Sequence, residues 1–142
     1  MTAEEVKKYI NQIAFSGAAE FVEKFKDKAD GKDIIGKFGL GFYSSFMVAD
    51  TVEIITRSYK AESDSEAVRW ECDGSTEFSI KCAKKAARGT DVILHINKES
   101  EEFLDEWRLK GILEKYCKFL PVEIKFGTKE ESVEDGVDKD DK

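Results

Sequence analysis

Three glycines lie within six residues of the chain, directly before an apolar run. Residues 34–46 read IIGKFGLGFYSSF, with the glycines at positions 36, 39 and 41. Glycine lets backbone N–H groups approach a ligand without a Cβ in the way, and free N–H groups at a helix start attract anions. Lys37 adds a positive charge to the stretch. The pattern therefore indicates phosphate binding, and the alternative is a turn that lets a helix pack closely against a sheet.

The glycine spacing differs from two familiar phosphate-binding motifs. No Lys-Ser or Lys-Thr pair follows the last glycine, as a P-loop requires. The dinucleotide fingerprint G-x-G-x-x-G follows a buried strand, and only the short pair Ile34-Ile35 could supply one here. Spacing alone therefore leaves both the phosphate-binding and the tight-turn interpretations open.

Two polar residues in the run RGTDVILHI, at residues 88–96, are further candidates for a site. A Thr90 hydroxyl pointing inward from the middle of a sheet could hydrogen-bond a polar ligand, although threonine is also simply favoured in strands. His95 is the only histidine of the chain. We interpret it as a strand residue, because a lone histidine lacks the partners that a metal site requires.

Composition narrows the class of protein. A net charge of −7 argues against a general nucleic-acid binder, which would carry a basic face. No apolar run approaches the ~20 residues that span a bilayer, and the first residues show no signal-peptide pattern. The three cysteines are odd in number and lack a C-x-x-C pair, which predicts free thiols in a reducing compartment. We therefore expect a cytoplasmic protein without a metal site, a nucleic-acid partner or a membrane partner.

Helical patterns occupy the first part of the chain. Thr2 and Glu5 have the spacing of a capping box, and they precede an apolar helix face. A second short helix is predicted around residues 21–25, and a third follows the glycines and ends at Ala49-Asp50. The apolar face of the first helix consists of Val6, Tyr9, Ile10 and Ile13, and that of the third consists of Phe42, Phe46 and Met47.

Strand patterns follow, and the fold class rests on their order. Residues 51–59, 67–72, the segment around Phe78 and Ile80, and residues 90–96 are predicted strands of an antiparallel meander. A helical stripe returns after about residue 100 and is stopped by Pro121, and a last strand is predicted from the alternation of Val122, Ile124 and Phe126. This order predicts an α+β fold, a two-layer sandwich with helices on one face of a mostly antiparallel sheet.

The order of these segments resembles the N-terminal ATP-binding domain of the Hsp90 chaperone family in its bacterial form. The resemblance runs from Met1 to about Phe126, and its specific parts are IIGKFGLGFYSSFMVA and RGTDVILHI. It implies the GHKL type of ATPase, in which ATP and Mg²⁺ bind between helices and an antiparallel sheet. It also implies a cytoplasmic homodimer that uses ATP to assist the folding of client proteins.

The resemblance assigns roles to matching positions. Backbone N–H groups at the end of the glycine stretch would bind the ATP phosphates, Met1 would pack against the adenine ring, and Thr90 would help to bind adenine. Residues 16–35 would form a lid over the nucleotide. The implied phosphate-binding residues are Gly36, Lys37, Gly39, Leu40, Gly41 and Phe42.

Several family residues have no counterpart in this sequence. The family motif D-x-G-x-G-M ends at the methionine that matches Met1, so its adenine-binding aspartate is not matched. The general-base glutamate and the asparagine of the Mg²⁺ site also lack counterparts, and Phe15 and Tyr9 replace a lysine and an asparagine of many relatives. We therefore expect no catalytic residue in this chain, an ATPase only in a longer parent protein, and weak or undetectable ATP binding by the chain itself.

The same comparison predicts the organisation of the chain and leaves alternatives. Residues 1–127 would be a partial ATP-binding domain, with its first helices and lid in residues 1–35, and residues 128–142 an acidic linker. An incomplete sheet would expose a strand edge, which predicts self-association. The alternatives are another GHKL ATPase of the gyrase, MutL or histidine kinase class, or a fragment without activity. A histidine kinase would carry its phosphoacceptor on a helix, whereas His95 lies in a predicted strand.

Overall fold

A computed structural model describes residues 1–12, 23–24, 40–60 and 66–128. The helices and strands of these residues confirm the predicted α+β class, and the strands form a single sheet. No helix among these residues is long and apolar enough to cross a membrane. In chain order the elements are helix α1 (Ala3–Tyr9), a 3₁₀ helix (Gly41–Met47), strands β1 (Ala49–Arg57), β2 (Ala67–Cys72), β3 (Phe78–Ala83) and β4 (Gly89–Ile96), a second 3₁₀ helix (Lys98–Leu104) and helix α2 (Glu106–Tyr116).

The predicted capping box begins α1. Thr2 Oγ1 accepts a hydrogen bond from the Glu5 N–H at 3.2 Å, and Glu5 Oε2 accepts one from the Thr2 N–H at 2.8 Å. These two bonds satisfy N–H groups that a helix start leaves without an intrahelical partner. The cap orients the helix so that Val6 is fully buried in the core. Ile13, the last residue of the predicted face, lies outside the described residues.

All strand pairs in the sheet are antiparallel, and the strand order is β3-β2-β1-β4. The first three strands form the predicted meander. The expectation that β4 would continue it beside β3 was wrong, because β4 pairs with β1 at the opposite edge. β1 is therefore an inner strand that, like β2, is hydrogen-bonded on both sides.

The link that crosses the sheet from β3 to β4 is short, and hydrogen bonds hold its middle residues in place. The edge strands lie three strand spacings apart, roughly 14 Å, and a five-residue link can span at most about 17 Å. Arg57, the last residue of β1, donates from Nη1 to the carbonyl oxygens of Lys85 at 2.9 Å and Ala86 at 3.0 Å. The guanidinium thereby fixes the link over the end of β1 and directs the chain into β4.

One face of the sheet carries the core. Fully or nearly fully buried side chains from α1, β1 and β2 meet there, and the first 3₁₀ helix contributes Phe42 and Phe46 at the edge of this cluster. The packing of α1 and the first 3₁₀ helix against one sheet face agrees with the predicted two-layer arrangement. The central residues of the core are Val6, Ala49, Val52, Ile54 and Trp70.

The other face of the sheet carries a charged cluster around Glu53, which is 8% exposed. His95 Nε2 lies 2.5 Å from Glu53 Oε2, and the Arg69 guanidinium pairs with Glu53 Oε1 and with Glu71. Hydrogen bonds from His95 and then from Arg69 hold the pKa of Glu53 below its ordinary value. His95 is therefore a strand residue, as predicted, and its side chain lies on the face opposite the apolar core.

Two predicted boundaries and one predicted strand were wrong. The helix after the glycines is a 3₁₀ helix that ends at Met47, and β1 runs from Ala49, which pairs with Ile96, to Arg57 and not over residues 51–59. Residues 122–126, a predicted strand, are in no strand. A strand requires a neighbour for its backbone groups, and none pairs with this segment within the described part of the chain.

Several predicted features lie outside the described residues. Of the second helix only Glu23 and Lys24 are described, and both are helical. Of the predicted lid, residues 16–35, only residues 23 and 24 are described, and residues 129–142 of the predicted acidic linker lie outside the described ranges. The division of the chain at residue 127 stays a prediction.

The capping box makes the stability of the fold depend on pH through Glu5. The hydrogen bond from the Thr2 backbone, and then the nearby Lys60 ammonium at 3.1 Å, hold the pKa of Glu5 below its ordinary value of 4.5. A lowered carboxyl pKa adds stability that is complete above pH 4.5 and is lost as the pH falls through the folded-state pKa. Glutamine can keep the cap but cannot titrate. We expect the free energy of unfolding of Glu5→Gln to fall less below pH 4.5 than that of the parent chain.

Urea denaturation followed by circular dichroism, at a series of pH values, measures this difference. Glu4→Gln is the matched control, since Glu4 lies at the exposed surface and, among the described residues, pairs with Lys7 at i,i+3. Identical pH dependence for Glu5→Gln and the parent chain would contradict the assigned role of the Glu5 carboxylate.

Candidate functional site

A cluster of hydrogen-bonded polar groups connects the end of β1, the start of β4 and the residue at the start of the chain before α1. Thr56, near the end of β1, is fully buried. Its Oγ1 lies 2.7 Å from the Met1 amino nitrogen, 2.8 Å from Thr90 Oγ1 and 3.2 Å from the Gly89 carbonyl oxygen. The cluster thus brings together Met1 and Thr90, the two residues that the family resemblance assigned to adenine binding.

The numbers of protons and lone pairs on these groups decide which group donates in each hydrogen bond. A threonine hydroxyl has one proton to donate and two lone pairs to accept with. Thr56 donates to the Gly89 carbonyl, so the Thr90 hydroxyl and the Met1 amine are its two donors. The hydroxyl of Thr56 is therefore fully satisfied. Thr90 lies at the exposed end of this cluster, where its remaining acceptor capacity faces outward.

Burial lowers the pKa of the Met1 amino group, and the Glu5 carboxylate acts in the opposite direction. The amine lies beside the core, since the Met1 side chain packs against the buried cluster. The packing and the Thr56 hydrogen bond together fix Met1 against the same sheet face that carries Thr90.

Aromatic contacts position the end of the glycine stretch. The Phe42 ring meets the Trp70 ring edge to face, with 5.7 Å between centroids. Trp70 in turn donates from Nε1 to Asn11 Oδ1 at 2.8 Å, and the Tyr43 hydroxyl donates to the Ile10 carbonyl oxygen. The first turn of the 3₁₀ helix is therefore anchored to both the sheet and the end of α1.

The backbone at Leu40, Gly41 and Phe42 forms the start of the 3₁₀ helix. Leu40 is the N-cap and is 51% exposed, and no side chain caps this helix start. The Leu40 carbonyl accepts from the Tyr43 N–H at 3.2 Å, and the Gly41 carbonyl accepts from Ser44 Oγ at 2.6 Å. A helix start leaves its first N–H groups without intrahelical partners, so this turn can present donors to a ligand.

The space around Gly41 bears on the two interpretations of the glycine stretch. A Cβ built at Gly41 meets no heavy atom within 4 Å among the described residues. None of the described residues packs on Gly41 closely enough to require a glycine there, and the open space would let a ligand approach the backbone. Gly74 gives the contrast, with a φ of +87° and a would-be Cβ 3.4 Å from Phe46 Cδ1.

The described residues cover only part of the predicted site. Met1, Leu40, Gly41, Phe42 and Thr90 are placed, and Met1 and Phe42 pack against the same core cluster. Gly36, Lys37 and Gly39 lie outside the described residues. No group of three or more His, Cys, Asp or Glu side chains within the described ranges could hold a metal ion.

Sequence reasoning did not single out Thr56, which links the two adenine candidates. Its threonine identity is ordinary for a strand, and its role depends on the register that places it opposite Thr90. A signal was nevertheless present in the two strand patterns, since threonine lies near the end of one and near the start of the other. Only the pairing of β4 with β1 places these two threonines opposite each other.

The packing difference between the two glycines predicts different responses to alanine. Gly41→Ala should change the free energy of unfolding by less than about 0.5 kcal/mol, because the new Cβ enters open space. Gly74→Ala should destabilise the fold by about 1–2 kcal/mol, because its φ lies in the left-handed region. Urea denaturation of both variants measures the contrast. A loss at Gly41 as large as that at Gly74 would favour the tight-turn interpretation.

The hydrogen-bond cluster predicts a second contrast. Thr56→Val keeps the shape of the side chain but leaves the Met1 amine, the Thr90 hydroxyl and the Gly89 carbonyl without their shared partner. We expect a loss of about 1–3 kcal/mol in the free energy of unfolding.

Thr90→Val is the matched control for this experiment. Its hydroxyl is replaceable by water at the exposed end of the cluster, so the loss should be below about 0.5 kcal/mol. Equal losses for the two variants in urea denaturation would contradict the central position of Thr56.

Comparison with known proteins gives one consistent result. No family model matches the chain. It is 60% identical over 131 residues to the chaperone protein HtpG of Bacteroides thetaiotaomicron, and 58% identical over 131 residues to that of Porphyromonas gingivalis, in both cases over 92% of this chain. It is 41% identical to HtpG of Aliivibrio fischeri over its whole length. The chain spans about a fifth of the length of these relatives, 19% in the first two and 22% in the third.

The matched region covers 131 residues, or 92% of the chain, in the first two of these relatives. The order of helix, glycine stretch, sheet and helix is that of one continuous α+β segment. By its sequence the chain belongs to the Hsp90 family of chaperones, and it matches a segment of proteins of the HtpG type.

Proposed function

We propose that the chain is the nucleotide-binding segment of an ATP-dependent molecular chaperone that assists the folding of client proteins. The observation that carries this proposal is the 58–60% identity to HtpG chaperones over 92% of the chain. Because the chain spans only about a fifth of those relatives, ATPase activity, clients and homodimer formation belong to a longer protein. Its proposed location is the cytoplasm, without a nucleic-acid or membrane partner.

The proposed phosphate site lies at the start of the first 3₁₀ helix. Leu40, Gly41 and Phe42 would donate backbone N–H groups, and open space at Gly41 would let a phosphate approach them. The contact of Phe42 with Trp70 supports this assignment, because it holds the donor backbone at a fixed position on the sheet. Gly36, Lys37 and Gly39, which lie outside the described residues, are proposed as further phosphate-binding residues.

The proposed adenine site lies at the edge of the sheet. Met1 would contact the ring and the Thr90 hydroxyl would hydrogen-bond it, directly or through water. Thr56 would act as a positioning residue, because its hydrogen bonds to Met1 and Thr90 hold both residues. The site residues present suit a purine with a polyphosphate, since one part offers apolar contact and a hydroxyl and the other offers backbone N–H groups.

Hydrolysis requires more than this chain supplies. Phosphoryl transfer to water needs a metal ion and an oriented water molecule in addition to a phosphate cradle. When bound, Mg²⁺ would neutralise phosphate charge, but neither the asparagine of its site nor the general-base glutamate has a counterpart in this sequence. We therefore propose no turnover by the chain alone, and ATP and Mg²⁺ as cofactors of the longer protein.

A chimaera tests the function without requiring the isolated chain to be active. The aligned segment of HtpG from Bacteroides thetaiotaomicron is replaced by this chain, and ATP affinity is measured by isothermal titration calorimetry with Mg²⁺ present. We expect the chimaera to bind and hydrolyse ATP. Gly41→Ala within it should weaken ATP binding about tenfold, because a Cβ would obstruct phosphate approach to the backbone.

Gly111→Ala in the chimaera is the matched control. Gly111 lies in α2, and a Cβ there also meets nothing within 4 Å, so the same substitution should leave ATP affinity unchanged. A chimaera that is folded by circular dichroism but fails to bind ATP would overturn the proposed function. The isolated chain, measured in parallel, should bind ATP far more weakly than the chimaera.

A further inference from the structure

The end of α1 contacts two other elements of the fold. Asn11, which follows the C-cap residue of the helix, accepts a hydrogen bond through Oδ1 from the Trp70 Nε1–H at 2.8 Å. The C-cap residue itself, Ile10, accepts a hydrogen bond through its carbonyl oxygen from the Tyr43 hydroxyl. A helix end leaves its last carbonyl groups without intrahelical partners, so the tyrosine satisfies one of them. The end of α1 is therefore bound both to β2 and to the first 3₁₀ helix.

Trp70 is the side chain that receives the Asn11 contact, and it is part of the core. It is 3% exposed and lies on an inner strand, where Ile54 of β1 and Ile80 of β3 are its partners on the two sides. Its only polar side-chain group is the indole N–H, which can donate but cannot accept. A buried donor needs a partner, and among the described residues the Asn11 amide oxygen is that partner. The hydrogen bond therefore fixes the rotation of the indole ring within the core.

The indole in turn supports the start of the first 3₁₀ helix through Phe42. The two rings meet edge to face with 5.7 Å between centroids, a separation at which aromatic pairs attract. Phe46, further along the same helix, meets Phe42 at 6.2 Å and lies against the turn after β2, where a Cβ built at Gly74 would be 3.4 Å from its ring. No side chain among the described residues caps this helix start. Its position therefore depends on these ring contacts and on the Tyr43 hydrogen bond.

Each of the three elements thus contacts the other two. Ile10 and Asn11 are consecutive residues at the end of α1, and Phe42 and Tyr43 are consecutive residues at the start of the 3₁₀ helix. One link between the two pairs is direct, through the Tyr43 hydroxyl, and the other passes through Trp70. A shift of the 3₁₀ helix relative to α1 would disturb both links together. Residues that share partners in this way are energetically coupled.

We propose that Asn11 and Trp70 are positioning residues for the phosphate end of the nucleotide. The inference rests on the proposed function, in which Leu40, Gly41 and Phe42 donate backbone N–H groups to phosphate. Asn11 holds the indole, the indole holds the Phe42 ring, and the ring sets the direction of the neighbouring N–H groups. Backbone donors bind an anion well only when they are held in one geometry before it arrives. Loss of the Asn11 hydrogen bond therefore lowers the fraction of molecules whose turn is in the binding position.

Removal of the Asn11 amide tests this series of contacts. Asn11→Leu keeps the approximate size of the side chain but cannot accept the indole N–H. The variant is made in the chimaera with HtpG from Bacteroides thetaiotaomicron, and its affinities for ATP with Mg²⁺ and for adenosine are measured by isothermal titration calorimetry. We expect ATP binding to weaken about tenfold, as it would if the turn held the binding position about one-tenth of the time. Adenosine has no phosphate, so its affinity should change less than about twofold.

A second substitution tests whether the effect passes through the indole. Trp70→Phe removes the N–H but keeps an aromatic ring beside Phe42, and it should weaken ATP binding to a similar extent. When Trp70→Phe is already present, Asn11→Leu should cause no further loss, because the hydrogen bond is already absent. Gln12→Met is the matched control, since it removes an amide from the next residue, whose side chain is exposed, and it should leave both affinities unchanged. Thermal unfolding verifies that each variant is folded, and Trp70→Phe alone gives the same ATP and adenosine comparison if Asn11→Leu does not fold.

The outcomes separate this inference from the proposed function. A folded parent chimaera that binds neither ATP nor adenosine would overturn both. If the parent chimaera binds ATP and a folded Asn11→Leu variant binds it equally well, only the positioning role is wrong. Equal losses of ATP and adenosine affinity would also overturn the positioning role, because they would indicate a general effect on the structure. Additive losses in the double variant would show that Asn11 acts by a route other than Trp70, which contradicts the proposed series of contacts.

Discussion

The pairing of β4 with β1 is the constraint on which the rest of the structure depends. It makes β1 an inner strand of the sheet, where Val52 and Ile54 can be buried under α1. It also sets Thr56 opposite Thr90, and so creates the hydrogen-bond cluster that holds Met1. On the other face the same register brings His95 to Glu53. A strand placed beside β3 would lose the core geometry and both polar clusters together.

Local sequence signals predicted those parts of the fold that local physics decides. The capping box forms because Thr2 and Glu5 satisfy each other's backbone groups within a single turn, and β2 has its predicted limits because polar segments flank a short run with Val68 and Trp70 on one face. The position of β4 was not predictable in this way. It depends on Arg57, whose contacts with the carbonyl groups of Lys85 and Ala86 direct the link across the sheet.

In the candidate site, too, some residues could be predicted from local sequence and others could not. Residue type and spacing left a phosphate cradle and a tight turn open for the glycine stretch, and of its three glycines only Gly41 is among the described residues. Thr90 was recognisable as a hydroxyl in a strand. Thr56 was not, because nothing in its neighbourhood along the chain distinguishes it from other strand threonines. Its importance arises from three partners that lie 33 to 55 residues away in sequence.

The strand pattern at residues 122–126 shows how a wrong structural prediction can still carry information. The alternation of Val122, Ile124 and Phe126 specifies two faces, but a strand exists only where a neighbour supplies backbone partners. Among the described residues no strand supplies them to residues 122–126. The alternation therefore predicts which side chains share a face, but it cannot predict the pairing on which a strand depends.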